Sequence, residues 1–143
     1  MGIKRSLAAD AKGHPLAHLT GKANHHDQTF ALKTLDKVTI NGKVKRPKRV
    51  GADKGYDSDK LRKDCRKRKI IPCFIAREKH CPKLTKRERK EQKYCCKRWL
   101  IERTFAWINM NRRIDRLLER KLKSYEMFMD LACIRHYLKL LTK

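Results

Sequence analysis

Carboxylates are scarce in this sequence. Its 143 residues hold 15 Asp plus Glu against 39 Lys plus Arg, a formal net charge of +24. Such an excess favours a polyanionic partner, through phosphate neutralisation and counterion release. A ribosome-associated protein or a membrane-surface binder is the plainer alternative; no run of ~18 apolar residues is present, which excludes a membrane-spanning helix, and no membrane partner is expected. The opening stretch MGIKRSLAADAKGHP has no apolar core of the signal-peptide kind, so a cytoplasmic protein is expected. None of the six cysteines (65, 73, 81, 95, 96 and 133) forms a C-x-x-C pair, which favours reduced thiols over a zinc site. His25 and His26 have no cysteine partner at finger spacing, so a loop or surface role is expected of them. Disorder does not fit either, because hydrophobic residues make up 40% of the chain and recur in periodic blocks.

Those blocks outline an α/β chain. Ile3 to Ala9 and His14 to Thr20 read as a β-hairpin about the Asp10–Gly13 turn. Asp27 reads as the N-cap of a helix with Phe30, Ala31, Leu35 and Val38 on one face. Asn41 to Lys48 reads as a basic loop. Val50 to Ala52 is a short buried strand. Ser58 caps a helix to about Lys69 that turns Leu61 and Cys65 inward. Ile70 to Ala76 is a further strand, at a sheet edge because of Pro72. Thr85 and Glu88 form a capping box, and the absence of Pro and Gly from there to Asn109 predicts one long helix. A last helix spans 124–142, with Phe128, Leu131, Ile134, Leu138 and Leu141 in one stripe. The order predicts a mixed sheet with flanking helices.

Two carboxylates stand out. Asp53 follows Val50-Gly51-Ala52 directly, at the carboxyl end of a strand, where α/β sheets gather their ligands. Glu102 lies in KRWLIERTFAWINMNRR (97–113), on a helix whose apolar seam is Ile101, Phe105 and Ile108. The spacing puts Glu102 at the edge of that seam, costly for a carboxylate unless it is paired or metal-bound. Two converging carboxylates can hold Mg²⁺ (or Mn²⁺) for in-line phosphoryl transfer. The plainer alternatives are that Asp53 shapes a tight turn with Lys54 and Gly55, and that Glu102 pairs with Arg98 one helical turn back.

DAKGHPLA (10–17), ANHHD (23–27), ADKGYDS (52–58) and RWLIERTFAWINMNRR (98–113) resemble, in that order and spacing, the catalytic domain of bacterial insertion-sequence transposases of the DDE type (the IS-five/IS-four-like group). The resemblance implies an RNase H-like fold in which two aspartates and a glutamate bind two divalent ions. It makes Asp53 the second acid and Glu102 the third, and Arg98 part of a Tyr-Arg-Glu-Lys signature. The signature's tyrosine position holds Cys95 here, with Tyr94 one residue early. Asn109 stands where its lysine is expected, and Arg112 or Arg113 is the candidate substitute. The first aspartate belongs on a strand before the hairpin, and Asp10 lies in the hairpin turn instead. The chain is therefore expected to be a partial RNase H-like domain over 1–143, lacking the first central strand. Its function is expected to be DNA strand cleavage and transfer at transposon ends, inactive alone, as a truncated or second-frame product. Expected partners are transposon-end DNA, an upstream transposase fragment or further copies of itself, in a bacterial, nucleoid-associated setting. Arg98, Arg103, Arg112 and Arg113 are the candidate DNA contacts. The alternative is a non-catalytic DNA-binding regulator of the complete enzyme. A ribosomal or RNA-binding protein is a third reading, supported by charge alone.

Overall fold

The computed structural model describes residues 2–76, 83–91, 97, 99–116, 119 and 121–142. The strands are β1 (Ile3–Ala9), β2 (Pro15–Lys22), β3 (Thr39–Ile40), β4 (Lys43–Val44), β5 (Arg49–Ala52) and β6 (Ile71–Phe74). The helices are α1 (Asp27–Asp36), α2 (Asp59–Lys67), α3 (Lys86–Glu91), α4 (Trp99–Asn109), α5 (Arg112–Asp115) and α6 (Leu122–Leu141). The class is mixed α/β, and among the described residues the strands do not join into the single mixed sheet expected from sequence. Three two-stranded sheets stand in its place: antiparallel β1–β2, antiparallel β3–β4 and parallel β5–β6. Among the described residues no strand pairs with more than one other. The chain divides into two compact units, residues 1–25 with 100–143, and residues 26–99.

In the first unit the core is Ile108, Ile114, Tyr125, Met129 and Ala132, with Ile3, Leu7 and Phe128 against it. The hairpin turn is locked to α4. Asp10 Oδ1 accepts the Lys12 and His14 amides at 2.8 and 2.9 Å. Arg103 Nη2 donates to Lys12 O at 2.6 Å, and the Thr104 hydroxyl donates to Gly13 O. Tyr137 of α6 donates to Pro15 O at 2.7 Å, and His14 Nδ1 lies 3.1 Å from His136 Nε2. This geometry requires glycine at 13. Its φ is +86°, and a Cβ would stand 3.0 Å from Arg103 Nη2 and 3.3 Å from Thr104 Oγ1. Gly13→Ala is therefore expected to lower stability by at least about 1–2 kcal/mol, read as a fall in the urea midpoint. An unchanged midpoint contradicts the lock.

The terminal helix starts at Leu122 rather than 124 and buries a different face from the expected stripe. Tyr125, Met129 and Ala132 are buried, whereas Leu131, Ile134, Leu138 and Leu141 are exposed. Apolar residues occupy both faces, so periodicity alone could not choose between them.

In the second unit Leu61, Cys65, Ile70 and Phe74 form the core, covered by Leu35, Val50 and Tyr56 among others. Burial pushes the Cys65 thiol up to about 11 and that of Cys133, in the first unit, likewise to about 11; at neutral pH both behave as small apolar groups. Helix α2 is the crossover that a parallel β5–β6 pair requires. Ser58 caps it, its Oγ accepting Leu61 N at 3.2 Å. Helix α1 begins one residue earlier than expected, with His26 at the N-cap and Asp27 in the first turn; Phe30 and Thr34 are its buried residues. The expected basic loop is a second hairpin: Asn41 and Gly42 both adopt positive φ, 52° and 72°, as a two-residue hairpin turn requires.

The expected long helix is described as α3 and α4, and residues 92–96 and 98 between them lie outside the described residues. The capping box at the start of α3 is formed: Glu88 N donates to Thr85 Oγ1 at 3.1 Å and Thr85 N to Glu88 Oε2 at 3.0 Å. Arg66 of α2 adds a bidentate pair to Glu88, at 2.9 and 2.7 Å. Burial pushes the Glu88 carboxyl up, but the Arg66 and Thr85 hydrogen bonds outweigh it and hold it below the ordinary glutamate value. A depressed carboxylate stabilises the fold fully above its unfolded pKa and loses that contribution as pH falls through the folded value. The stability difference between the native chain and Glu88→Gln is thus expected to be largest near neutrality and to vanish under acid. Urea titrations across pH check this; a difference that grows with acid contradicts it.

Candidate functional site

Asp53 stands where the strand pattern placed it. Strand β5 ends at Ala52, paired in parallel with Phe74 of β6, and Asp53 begins a tight 3₁₀ turn over Lys54–Tyr56. Its Oδ1 accepts Gly55 N at 2.9 Å, so the turn role is real. Among the described residues Oδ2 has no hydrogen-bond partner, which leaves an oxygen for a cation. The turn is braced from α1, where Gln28 Nε2 donates to Gly55 O at 2.8 Å. Tyr56, the last residue of the turn, packs against the core of the second unit. Burial, then the charges of Asp27 and Asp53, push its phenol up to about 12. Both carboxylates therefore bear on one half-buried ring.

The rest of ADKGYDS anchors this turn to the strand ends. Asp57 and Arg62 are almost wholly buried. Arg62 Nε donates to Asp57 Oδ1 at 2.6 Å, Nη1 to Pro72 O at 3.4 Å and Nη2 to Phe74 O at 3.2 Å, while its guanidinium lies 5.3 Å from the Phe74 ring centre. One cation thus joins the residue after the turn to the carbonyls of β6. Sequence reasoning missed this pair, because a charged residue on a basic helix reads as surface. The available signal was Asp57 directly before the cap Ser58.

Glu102 lies in the first turn of α4. The buried residues there are Leu100, Thr104 and Ile108, not the expected Ile101–Phe105–Ile108 seam, and Glu102 is on the exposed side. Thr104 is on the buried face, where its hydroxyl donates to Gly13 O of the hairpin turn. A half-buried carboxylate needing compensation is therefore corrected to a solvent-facing one. Asp53 and Glu102 belong to different units. Among the described residues no three His, Cys, Asp or Glu side chains form a group able to hold a metal ion.

The candidate DNA contacts differ in their surroundings. Arg98 lies outside the described residues. Arg103 is engaged by the hairpin turn and lies 4.6 Å from the Trp107 ring centre. Arg112 and Arg113 are exposed on α5. Arg113 pairs with Glu119 at 2.8 Å and lies over Phe128. Both line a groove of about 330 Å³ that also takes in Arg135 and Asn111. Arg5 was not foreseen. Its Nη1 donates to Asn109 Oδ1 at 2.6 Å, and it lies over Phe105. A cation from β1 therefore bonds Asn109, the residue that stands where the signature lysine was expected.

No helix of the described residues is long and apolar enough to cross a membrane. Residues 1–138 match the family described as Transposase DDE domain. The chain is 35% identical over 137 residues to a Burkholderia cepacia protein named "Putative transposase for insertion sequence element IS402". That match covers 92% of this chain and 61% of the relative's length. No solved structure matches.

Proposed function

The chain belongs to the transposase DDE-domain family, and from that premise we propose that it serves metal-dependent DNA strand cleavage and transfer at transposon ends. Asp53 and Glu102 are the acids in this reading, within an RNase H-like arrangement. The observation that carries it is Asp53 at the carboxyl end of a parallel strand, one oxygen bound by the turn and the other available. Carboxylate oxygens suit a hard divalent cation such as Mg²⁺ or Mn²⁺. Such an ion supplies activation of a water or 3′-hydroxyl and neutralises charge on the transferring phosphate. Asp53 and Glu102 hold negative charge for it. Arg5, Arg112 and Arg113 hold the phosphate backbone, and the +24 charge draws the duplex in.

Asp10 is not read as a third acid, because it sits in the turn between β1 and β2 and not on a strand before the hairpin. Activity of these 143 residues is therefore read as needing a carboxylate from another polypeptide segment. The test is cleavage of DNA bearing the element's terminal repeats, by this chain together with such a segment. Cleavage in Mg²⁺ or Mn²⁺ and its loss on chelation are expected, and cleavage that persists in chelator overturns the proposal.

The second reading is a DNA-binding regulator that does not cleave. It is favoured by the +24 charge, which serves DNA binding with or without cleavage. It predicts that this chain competes with the complete transposase for terminal repeats and never cleaves, even with the missing carboxylate supplied.

A further inference from the structure

Between Asp36 and Asp53 the chain has no carboxylate and six cations: Lys37, Lys43, Lys45, Arg46, Lys48 and Arg49. The β3–β4 hairpin lies inside that stretch. Every residue from Thr39 to Arg46 is exposed, so both faces of the ribbon stand in solvent. Two of these residues are apolar, Ile40 at 48% and Val44 at 58% exposure. Cross-strand pairing sets Ile40 beside Lys43 and Val44 beside Thr39, on opposite faces of the ribbon. The base is anchored where Val38 is buried and Lys45 N donates to Val38 O at 2.9 Å. Among the described residues the side chains of Lys43, Lys45, Arg46 and Lys48 make no hydrogen bond or ion pair. A two-stranded ribbon this short adds little to the stability of a fold, so the cations and apolar side chains it presents are not explained by packing.

We propose that this hairpin is a docking element that lies in the major groove of duplex DNA, with Lys43, Lys45, Arg46 and Lys48 against the flanking phosphates. Charge selects the partner, because a ribbon with cations and no carboxylate complements a polyanion. Shape selects the groove. Paired strands run about 4.8 Å apart, and with their side chains they fill a major groove about 12 Å wide, whereas a minor groove of about 6 Å is too narrow for them. Ile40 and Val44 meet thymine methyl groups there, the apolar feature of that groove. A duplex of RNA offers no such seat, since its major groove is deep and narrow. The inference rests on the reading of DNA as the partner and not on Asp53 or Glu102. It adds a contact on the second unit to Arg5, Arg112 and Arg113 of the first.

Fluorescence anisotropy of a labelled random-sequence duplex, read across salt concentrations, tests it. The combined substitutions Lys43→Gln, Lys45→Gln and Arg46→Gln are expected to weaken binding about 10- to 100-fold at physiological salt and to flatten the slope of log affinity against log salt by about 2 to 3. Circular dichroism is expected to be unchanged, since these side chains are exposed. Lys60→Gln, Lys63→Gln and Lys67→Gln on the exposed side of α2 remove the same charge and are expected to cost much less. Equal losses in the two triple variants overturn the proposal, because net charge then accounts for both; so does a hairpin variant that binds like the native chain. Methyl green, a major-groove ligand, is expected to displace the chain, and distamycin, a minor-groove ligand, to leave it bound. The reverse result overturns the major-groove seat. A native chain without affinity for duplex DNA overturns the DNA reading itself, and the hairpin's role with it.

Discussion

Asp53→Asn is expected to abolish strand cleavage, by at least about 10³-fold or roughly 4 kcal/mol, while leaving the fold intact. The amide oxygen of Asn still accepts the Gly55 amide that now bonds Asp53 Oδ1, so the turn at the end of β5 survives. What disappears is the negative charge, the property a divalent cation needs. DNA affinity is expected to hold or rise slightly, because one repulsive charge is removed. The Tyr56 phenol is expected to move down from about 12, since Asp53 contributes to raising it; absorbance titration reads this without any activity. Glu102→Gln is expected to match Asp53→Asn in cleavage and to leave Tyr56 unmoved. Cleavage that persists in both variants, with chain and complementing segment both folded, removes these residues from the chemistry.

Asp57→Ala has the opposite profile, a large loss of stability. The Asp57–Arg62 pair is buried on both sides. Deleting the carboxylate leaves the guanidinium buried without its counter-charge, held among the described residues by the Pro72 and Phe74 carbonyls and the Phe74 ring. Breaking such a pair costs about 3–5 kcal/mol, a large share of the ~5–15 kcal/mol that holds a domain. Thermal or urea unfolding of the second unit is expected to shift strongly. Replacing both partners, Asp57→Leu with Arg62→Met, is expected to recover much of the loss, because no charge is then stranded. A double variant as unstable as Asp57→Ala would show that the hydrogen bonds to β6, rather than the buried charge, dominate. Any activity lost in Asp57→Ala should track unfolding, which separates this anchoring pair from Asp53.

Local chemistry was legible wherever a few neighbouring residues decide the outcome. Ser58 caps α2, Thr85 and Glu88 close a capping box, and Asp10 to Gly13 make a turn. The position of Asp53 followed from a short apolar strand ending on a carboxylate. Asn41-Gly42 carried an equally local signal, but its flanking strands are two residues each, too short for alternation to declare them. Family membership was also legible, because ADKGYDS and ERTFAWI are contiguous in sequence.

Tertiary packing decided the rest. Which face of α6 is buried depends on the hairpin and α5 packed against it, and both faces are apolar enough to serve. Thr104 of α4 bonds the carbonyl of Gly13, 91 residues away, and lies on the buried face while Glu102 faces solvent. Arg62 is buried and Arg103 is bound to the turn, although in a chain of 39 basic residues neither is distinguishable from its neighbours by type. Charge is a property of the residue; burial and partnership come only from what folding brings beside it.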